Sequence, residues 1–233
     1  MQNHINDQPA FILHRHDYQD SSLILDLFSE DYGRLSVLVK AAKKRRDAAS
    51  FQICNRLLIG WSGRSELKIL TQIDSHILSV TAEYIPSVFY INELLLYLLP
   101  KHDRQKKLFQ QYQELLLKLT LPEFQLEPAL RNFEIELLSE LGYMPDLSFN
   151  TNSGSVLNTS RRYYFDGISG MQQASSDAHH SFSISELTAI YKRQFESVEV
   201  LRSAKRLMRQ IIDFNLQGRT LQSRKFYQQI TKK

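Results

Sequence analysis

The sequence predicts an α+β protein, with a small β-barrel in front and an all-α domain behind, the latter interrupted by a short loop and hairpin insertion. Three observations carry this expectation. Apolar residues come in short alternating bursts from Ala10 to Val80, they recur every three or four positions after Pro86, and the stretch 146–182 between helical segments is rich in Ser, Asn and Gly.

The bursts are Phe11-Ile12-Leu13, Leu23 to Phe28, Leu35 to Val39, Leu57-Leu58-Ile59 and Leu67-Lys68-Ile69-Leu70. Turn residues separate them, Asp31-Tyr32-Gly33 after the second and Ser62-Gly63-Arg64 after the fourth. Short strands at roughly 10 to 15 residue spacing close most simply into a five-stranded oligonucleotide-binding (OB) barrel, which is expected to occupy residues 1–80. The helical domain is expected over 81–233. Val88, Ile91, Leu94, Leu95 and Leu98 predict a first helix opened by Pro86, and Asp103 to Thr120 a second. A third runs from Glu127-Pro128 to a C-cap at Gly142. Within the insertion, Arg161 to Gly167 reads as one arm of a hairpin. Ser183-Ile184-Ser185-Glu186 then matches a capping box, and a last helix spans Val198 to Leu216 before Gly218.

Composition narrows the function. At 233 residues with 42% hydrophobic and 11% aromatic content the chain can fold a substantial core. A net charge of +4 and a pI of about 9.1 favour a polyanionic partner. The single cysteine, Cys54, forbids an internal disulfide or a four-thiolate zinc site. Met1 to Pro9 lack an apolar signal core and no run approaches the roughly 18 to 20 apolar residues of a membrane span, so a cytoplasmic protein without secretion signal or anchor is expected.

The sharpest local signal is Arg34, Lys40, Lys43, Lys44, Arg45 and Arg46, cations with no acidic residue between them, starting on the third strand and entering the loop beyond it. Such a run can track backbone phosphates; the alternative is a solvated loop. Tyr18, Tyr32, Phe51 and Trp61 are candidate stacking faces or core residues. On the last helix Lys205, Arg206 and Arg209 share a face with Arg202, and would line a second nucleic-acid path, hold acidic protein tails or remain solvated. Arg219, Arg224, Lys225, Lys232 and Lys233 extend this basic tail. Neither GxGxxG nor GxxxxGK[ST] occurs, so no phosphate cradle is indicated. The pairs His14 with His16 and His179 with His180 lack acidic or thiol companions at ligand spacing, and Asp17, Asp20 and Asp26 are scattered, so neither a metal centre nor a hydrolase site is expected.

Several strings, in this order, resemble the bacterial RecO family of recombination mediators. They are Ala10 to His14, Ser21 to Phe28, Tyr32-Gly33-Arg34-Leu35, Tyr90-Ile91-Asn92-Glu93-Leu94-Leu95, Glu127 to Glu134, Leu141-Gly142-Tyr143, Leu201 to Arg206 and Leu221-Gln222-Ser223-Arg224. The resemblance implies a non-enzymatic DNA repair protein of the RecF pathway. It implies binding to single- and double-stranded DNA, annealing of complementary strands, and contacts to RecR and to single-stranded DNA-binding protein (SSB) that promote RecA loading. Arg131, the arginine of the Ala-Leu-Arg string, is implied to grip the SSB C-terminal tail. A monomer in the cytoplasm, associated with the nucleoid and without cofactor, is expected. Two departures stand out: 150–181 lacks the four zinc-binding cysteines of some members, so no zinc is expected, and Gln222 replaces a lysine. The competing reading is a protein-interaction module with an OB-like barrel that does not bind DNA.

Overall fold

Alternating bursts become five strands in the computed structural model, which describes residues 4–147, 149–150, 155–156, 161–174 and 181–225, with 149–150 and 155–156 described by backbone alone. The strands are β1 (His4–Tyr18), β2 (Ser22–Ser29), β3 (Gly33–Val39), β4 (Arg56–Ser62) and β5 (Leu67–His76). They close as β1-β2-β3-β5-β4, with β3 parallel to β5 from Ser36↔Leu67 to Leu38↔Ile69 and every other pairing antiparallel. This is the expected five-stranded OB-type barrel. Its interior follows the two-residue pleat: Leu23, Leu25 and Leu27 from β2 meet Leu35, Val37 and Val39 from β3, with Ile12, Ile59 and Trp61 beside them.

The chain forms two compact units, Met1–Phe124 with Thr220–Lys233, and Gln125–Arg219. In the first, helices α1 (Ile85–Leu98) and α2 (Lys106–Lys118) accompany the barrel. Phe11 and Phe28 face away from the barrel interior and pack on Phe109 and Tyr112 of α2, with ring centroids 5.2 to 6.3 Å apart. A bulge in β1 between Ile12 and His14 breaks the ladder there. The buried Asn92 of α1 donates to the carbonyls of Ile12 and Leu13 at this point, and its own carbonyl accepts from Tyr112 Oη at 2.6 Å. Gly33 is required at the β2–β3 turn: φ is +63° and a Cβ there would lie 1.9 Å from the Asp103 carbonyl oxygen.

Two of the strings meet in this unit. Gln222 and Ser223 donate their backbone N–H groups to Glu93 at 2.8 and 3.0 Å, Ser223 adds its hydroxyl at 2.6 Å, and the Arg224 guanidinium lies over the Tyr90 ring. Position 222 makes this contact through its backbone, so the exchange of lysine for glutamine leaves it intact.

In the second unit α3 (Leu126–Glu140), α4 (Ile184–Tyr191) and α5 (Val198–Asn215) pack with a small sheet. Gly142, at φ +71°, ends α3: its N–H and that of Tyr143 donate to the carbonyls of Ser139 and Leu138. The insertion is partly ordered by β6 (Phe149–Asn150) paired with β7 (Ser155–Val156), and by β8 (Arg162–Asp166), β9 (Gly170–Gln173) and β10 (Phe182–Ser183) in the order β10-β8-β9. Tyr163, Met171 and Phe182 are buried there. The capping box forms as expected, Ser183 and Glu186 each bonding the other's backbone. Among the described residues no helix is long and apolar enough to cross a membrane. His179, His180, Lys232 and Lys233 lie outside the described residues.

Candidate nucleic-acid interface

The segment between β3 and β4 is long for a loop, yet it is pinned along its length. Ala42 and Phe51 insert into the barrel core. Lys43 N–H donates to the Ser21 carbonyl at 3.0 Å, Asn55 Nδ2 to the carbonyls of Ala49 and Ser50, and Arg15 Nη1 to the Phe51 carbonyl at 3.1 Å. Two 3-10 turns, Ala42–Lys44 and Ala48–Ser50, fill the span. A pinned loop presents its charges without a large ordering cost on binding.

The cations on this loop divide into two kinds. Lys40, Lys44 and Arg46 are exposed and have no ion pair or side-chain hydrogen bond among the described residues. Lys43 reaches Asp17 at 3.1 Å across an exposed surface, a pair worth little in water. Arg45 is a bidentate partner of Asp47, at 2.7 and 2.6 Å, and its guanidinium lies 5.7 Å from the Phe51 ring centroid. The hydrogen bond to Arg45 holds the Asp47 carboxyl below its usual range. Arg34 stands at the other end of β3, about 20 Å along the strand from Lys40. Its Nε donates to the Leu99 carbonyl at 2.9 Å and its own carbonyl accepts from His102 N–H, so it ties the α1–α2 connection to the barrel.

The proposed stacking aromatics are mostly core: Phe51 and Trp61 are buried, and Tyr32 packs edge-on against Trp61 at 5.2 Å. Tyr18, at the end of β1, is exposed. Further back on the same strand, His14 and His16 converge on Asp26 of β2, with His16 Nε2 2.8 Å from Asp26 Oδ2 and 3.1 Å from His14 Nδ1. This trio could hold a metal ion. Burial, followed by the neighbouring His16, holds the His14 imidazole below its ordinary pKa.

Family models described as Recombination protein O N terminal and Recombination protein O C terminal match residues 1–76 and 83–225. The chain is 38% identical over 224 residues to the DNA repair protein RecO of Methylococcus capsulatus, covering 94% of this chain and 91% of that one. Against the protein of that name from Pasteurella multocida it is 37% identical, covering 96% and 95%, and against that from Serratia proteamaculans 35%, covering 96% and 94%. The chain belongs to the RecO family. A role in DNA repair follows.

The helical residues singled out for this RecO-family chain are more engaged than their sequence spacing suggests. Arg131 is 4% exposed on α3 and pairs with Glu134 at 2.7 Å, while its Nε has no hydrogen-bond partner among the described residues. Lys205 pairs with Glu127 at 2.9 Å, and Arg209 lies 3.6 Å from Asp213. Arg206 donates to the Ser181 carbonyl at 3.1 Å and lies 4.4 Å over the Phe182 ring, which fastens α5 to β10. Sequence reasoning set Asp26 aside as one of three scattered carboxylates and missed its place beside His14 and His16. Its signal was the pairing register, since His14 is the cross-strand partner of Asp26 only because of the bulge at Leu13.

Proposed function

We propose that this RecO-family protein binds single- and double-stranded DNA through the loop between β3 and β4, anneals complementary strands, and promotes RecA loading through contacts with SSB and RecR. The proposal makes it a non-catalytic, cytoplasmic mediator of the RecF pathway that works as a monomer at the nucleoid. The OB barrel of residues 1–80 serves DNA and the helical residues 81–233 serve protein partners. The observation that carries the reading is the display of Lys40, Lys44 and Arg46, exposed and without described partners, on a loop anchored to a barrel of the oligonucleotide-binding type. Lys43 adds to this surface because its exposed pair with Asp17 exchanges readily for a phosphate. Lys205 and Arg209, also on exposed pairs, are the secondary contacts; Arg34, Arg45 and Arg206 support the surface through the bonds described above.

Neutralised phosphates repel less, which is what annealing requires, and contacts of this kind carry little base information. Each phosphate contact on a single strand contributes a slope of about −0.7 to log K against log salt, so Lys40→Gln, Lys44→Gln and Arg46→Gln together should reduce the slope by about 2. Fluorescence anisotropy with a mixed-sequence oligonucleotide measures it, alongside annealing rates. An unchanged slope and undiminished annealing reject the surface. Arg131 is the proposed grip on the acidic SSB tail: its guanidinium is buried beside Glu134, so the tail carboxylate reaches its Nε only where a local rearrangement uncovers it.

A further inference from the structure

We propose that His14, His16 and Asp26 form a binding site for a divalent transition-metal ion of the zinc type. The barrel itself assembles the site. The bulge at Leu13 sets His14 directly across from Asp26, and the two-residue pleat brings His16 to the same face of the β1–β2 ladder. Two imidazoles and one carboxylate therefore point at a common volume from a closed, hydrogen-bonded barrel, and the three donor atoms lie within 4.8 Å of one another.

The three donors are close enough to share one ion. A tetrahedral ion bound at about 2.0 to 2.1 Å has donor-to-donor edges of roughly 3.3 to 3.4 Å. The two edges at His16 Nε2, 3.1 Å to His14 Nδ1 and 2.8 Å to Asp26 Oδ2, lie within about half an ångström of those values, and the third edge is no longer than 4.8 Å. His16 Nε2 faces both His14 Nδ1 and Asp26 Oδ2, yet an imidazole nitrogen carries at most one proton and cannot donate a straight hydrogen bond to both. A cation at the centre uses the lone pairs of all three atoms at once.

The surroundings match what a metal site needs. Asp26 is 9% exposed, and its second oxygen, Oδ1, accepts from Ser36 Oγ of β3 at 2.6 Å, which orients the carboxylate and leaves Oδ2 for the ion. Both histidines are exposed, so an ion has a path in. Two nitrogens and one oxygen select Zn²⁺ and its neighbours over Mg²⁺ or Ca²⁺, which take oxygen ligands, and a fourth position is left to water.

The test uses the full-length, untagged protein after chelator treatment, titrated with Co²⁺ and followed by visible absorption, with Zn²⁺ as competitor. One equivalent of Co²⁺ should give the intense d–d bands of a four-coordinate ion, which Zn²⁺ removes. His14→Ala and His16→Ala should each weaken binding by more than about tenfold, and Ser36→Ala by about tenfold through loss of the carboxylate's orientation. Because the two histidines are exposed, their substitution should leave the fold intact, with a lower melt only where the His16–Asp26 contact is lost; should a variant nonetheless misfold, imidazole NMR shifts in the parent protein on Zn²⁺ addition decide the matter. Absence of the d–d bands, equal affinity in the parent and a His14→Ala, His16→Ala double variant, or shifts confined to other histidines overturns the proposal.

Discussion

Removing one member of the Arg131–Glu134 pair should damage the fold far more than removing both. The side chains are 5% and 1% exposed and 2.7 Å apart on successive turns of α3. At an effective dielectric of about 20 their attraction is roughly 6 kcal/mol, and withdrawing two ions from water opposes it with several kcal/mol each, so the intact pair contributes little net stability. Deleting one partner removes the counter-charge that offsets most of the other's desolvation. Arg131→Met or Glu134→Leu alone should therefore cost about 3 to 5 kcal/mol, while the double substitution should cost about 1 kcal/mol or less. For a chain of this length the single losses correspond to a melting temperature lower by roughly 6 to 20 °C. Far-UV circular dichroism melts of the four proteins measure this. Additive losses in the double variant would refute the reasoning. The same variants separate stability from tail binding: the double variant keeps the fold without the guanidinium and should bind an SSB-tail peptide about 1.5 to 3 kcal/mol more weakly in fluorescence polarisation.

Three further outcomes follow from named contacts. Burial pushes the Cys54 thiol up to about 11, so only about one molecule in ten thousand carries a thiolate at neutral pH, and alkylation should await unfolding; rapid labelling of the native protein contradicts this. Gly33→Ala meets both a left-handed backbone and the Asp103 carbonyl, and should lower stability by at least about 1 to 3 kcal/mol, read by the Trp61 fluorescence transition, which an undisturbed variant would leave in place. For Glu186, burial raises the carboxyl, but hydrogen bonds from Ser183 and Ser203 and the charge of Arg162 outweigh it and hold the group below its ordinary 4.5. A depressed carboxylate contributes stability in full above its unfolded value and loses it as pH falls through the folded one. The melting difference between the parent protein and Glu186→Gln should thus narrow as pH drops below about 4, and a difference independent of pH removes Glu186 from this role.

Much of the architecture was legible because it depends on local periodicity. Alternation placed Leu23, Leu25, Leu27, Leu35, Val37 and Val39 inside a barrel, and three-to-four spacing placed Leu94, Leu95 and Leu98 on the buried face of α1. The capping box at Ser183 and the Gly142 cap are signals contained within a few residues, and both formed as read. The basic loop between β3 and β4 was legible as a charge run, but which of its cations stay unpaired was not. Asp47, directly after the run, takes up Arg45 in a bidentate pair that adjacency alone does not establish, and Asp17 reaches Lys43 from β1, which nothing in a string of cations reveals.

By itself, then, the order of residues determined the element types, the strand-rich front and the family, because these reside in periodicity and in strings read along the chain. Tertiary structure alone decided that the Leu221 to Arg224 string meets Glu93, that Arg131 is buried beside Glu134, and that Asp26 joins two histidines. Those outcomes rest on register: one bulged residue in β1 changes which side chain stands opposite which, and a shift of one position carries every later side chain to the other face.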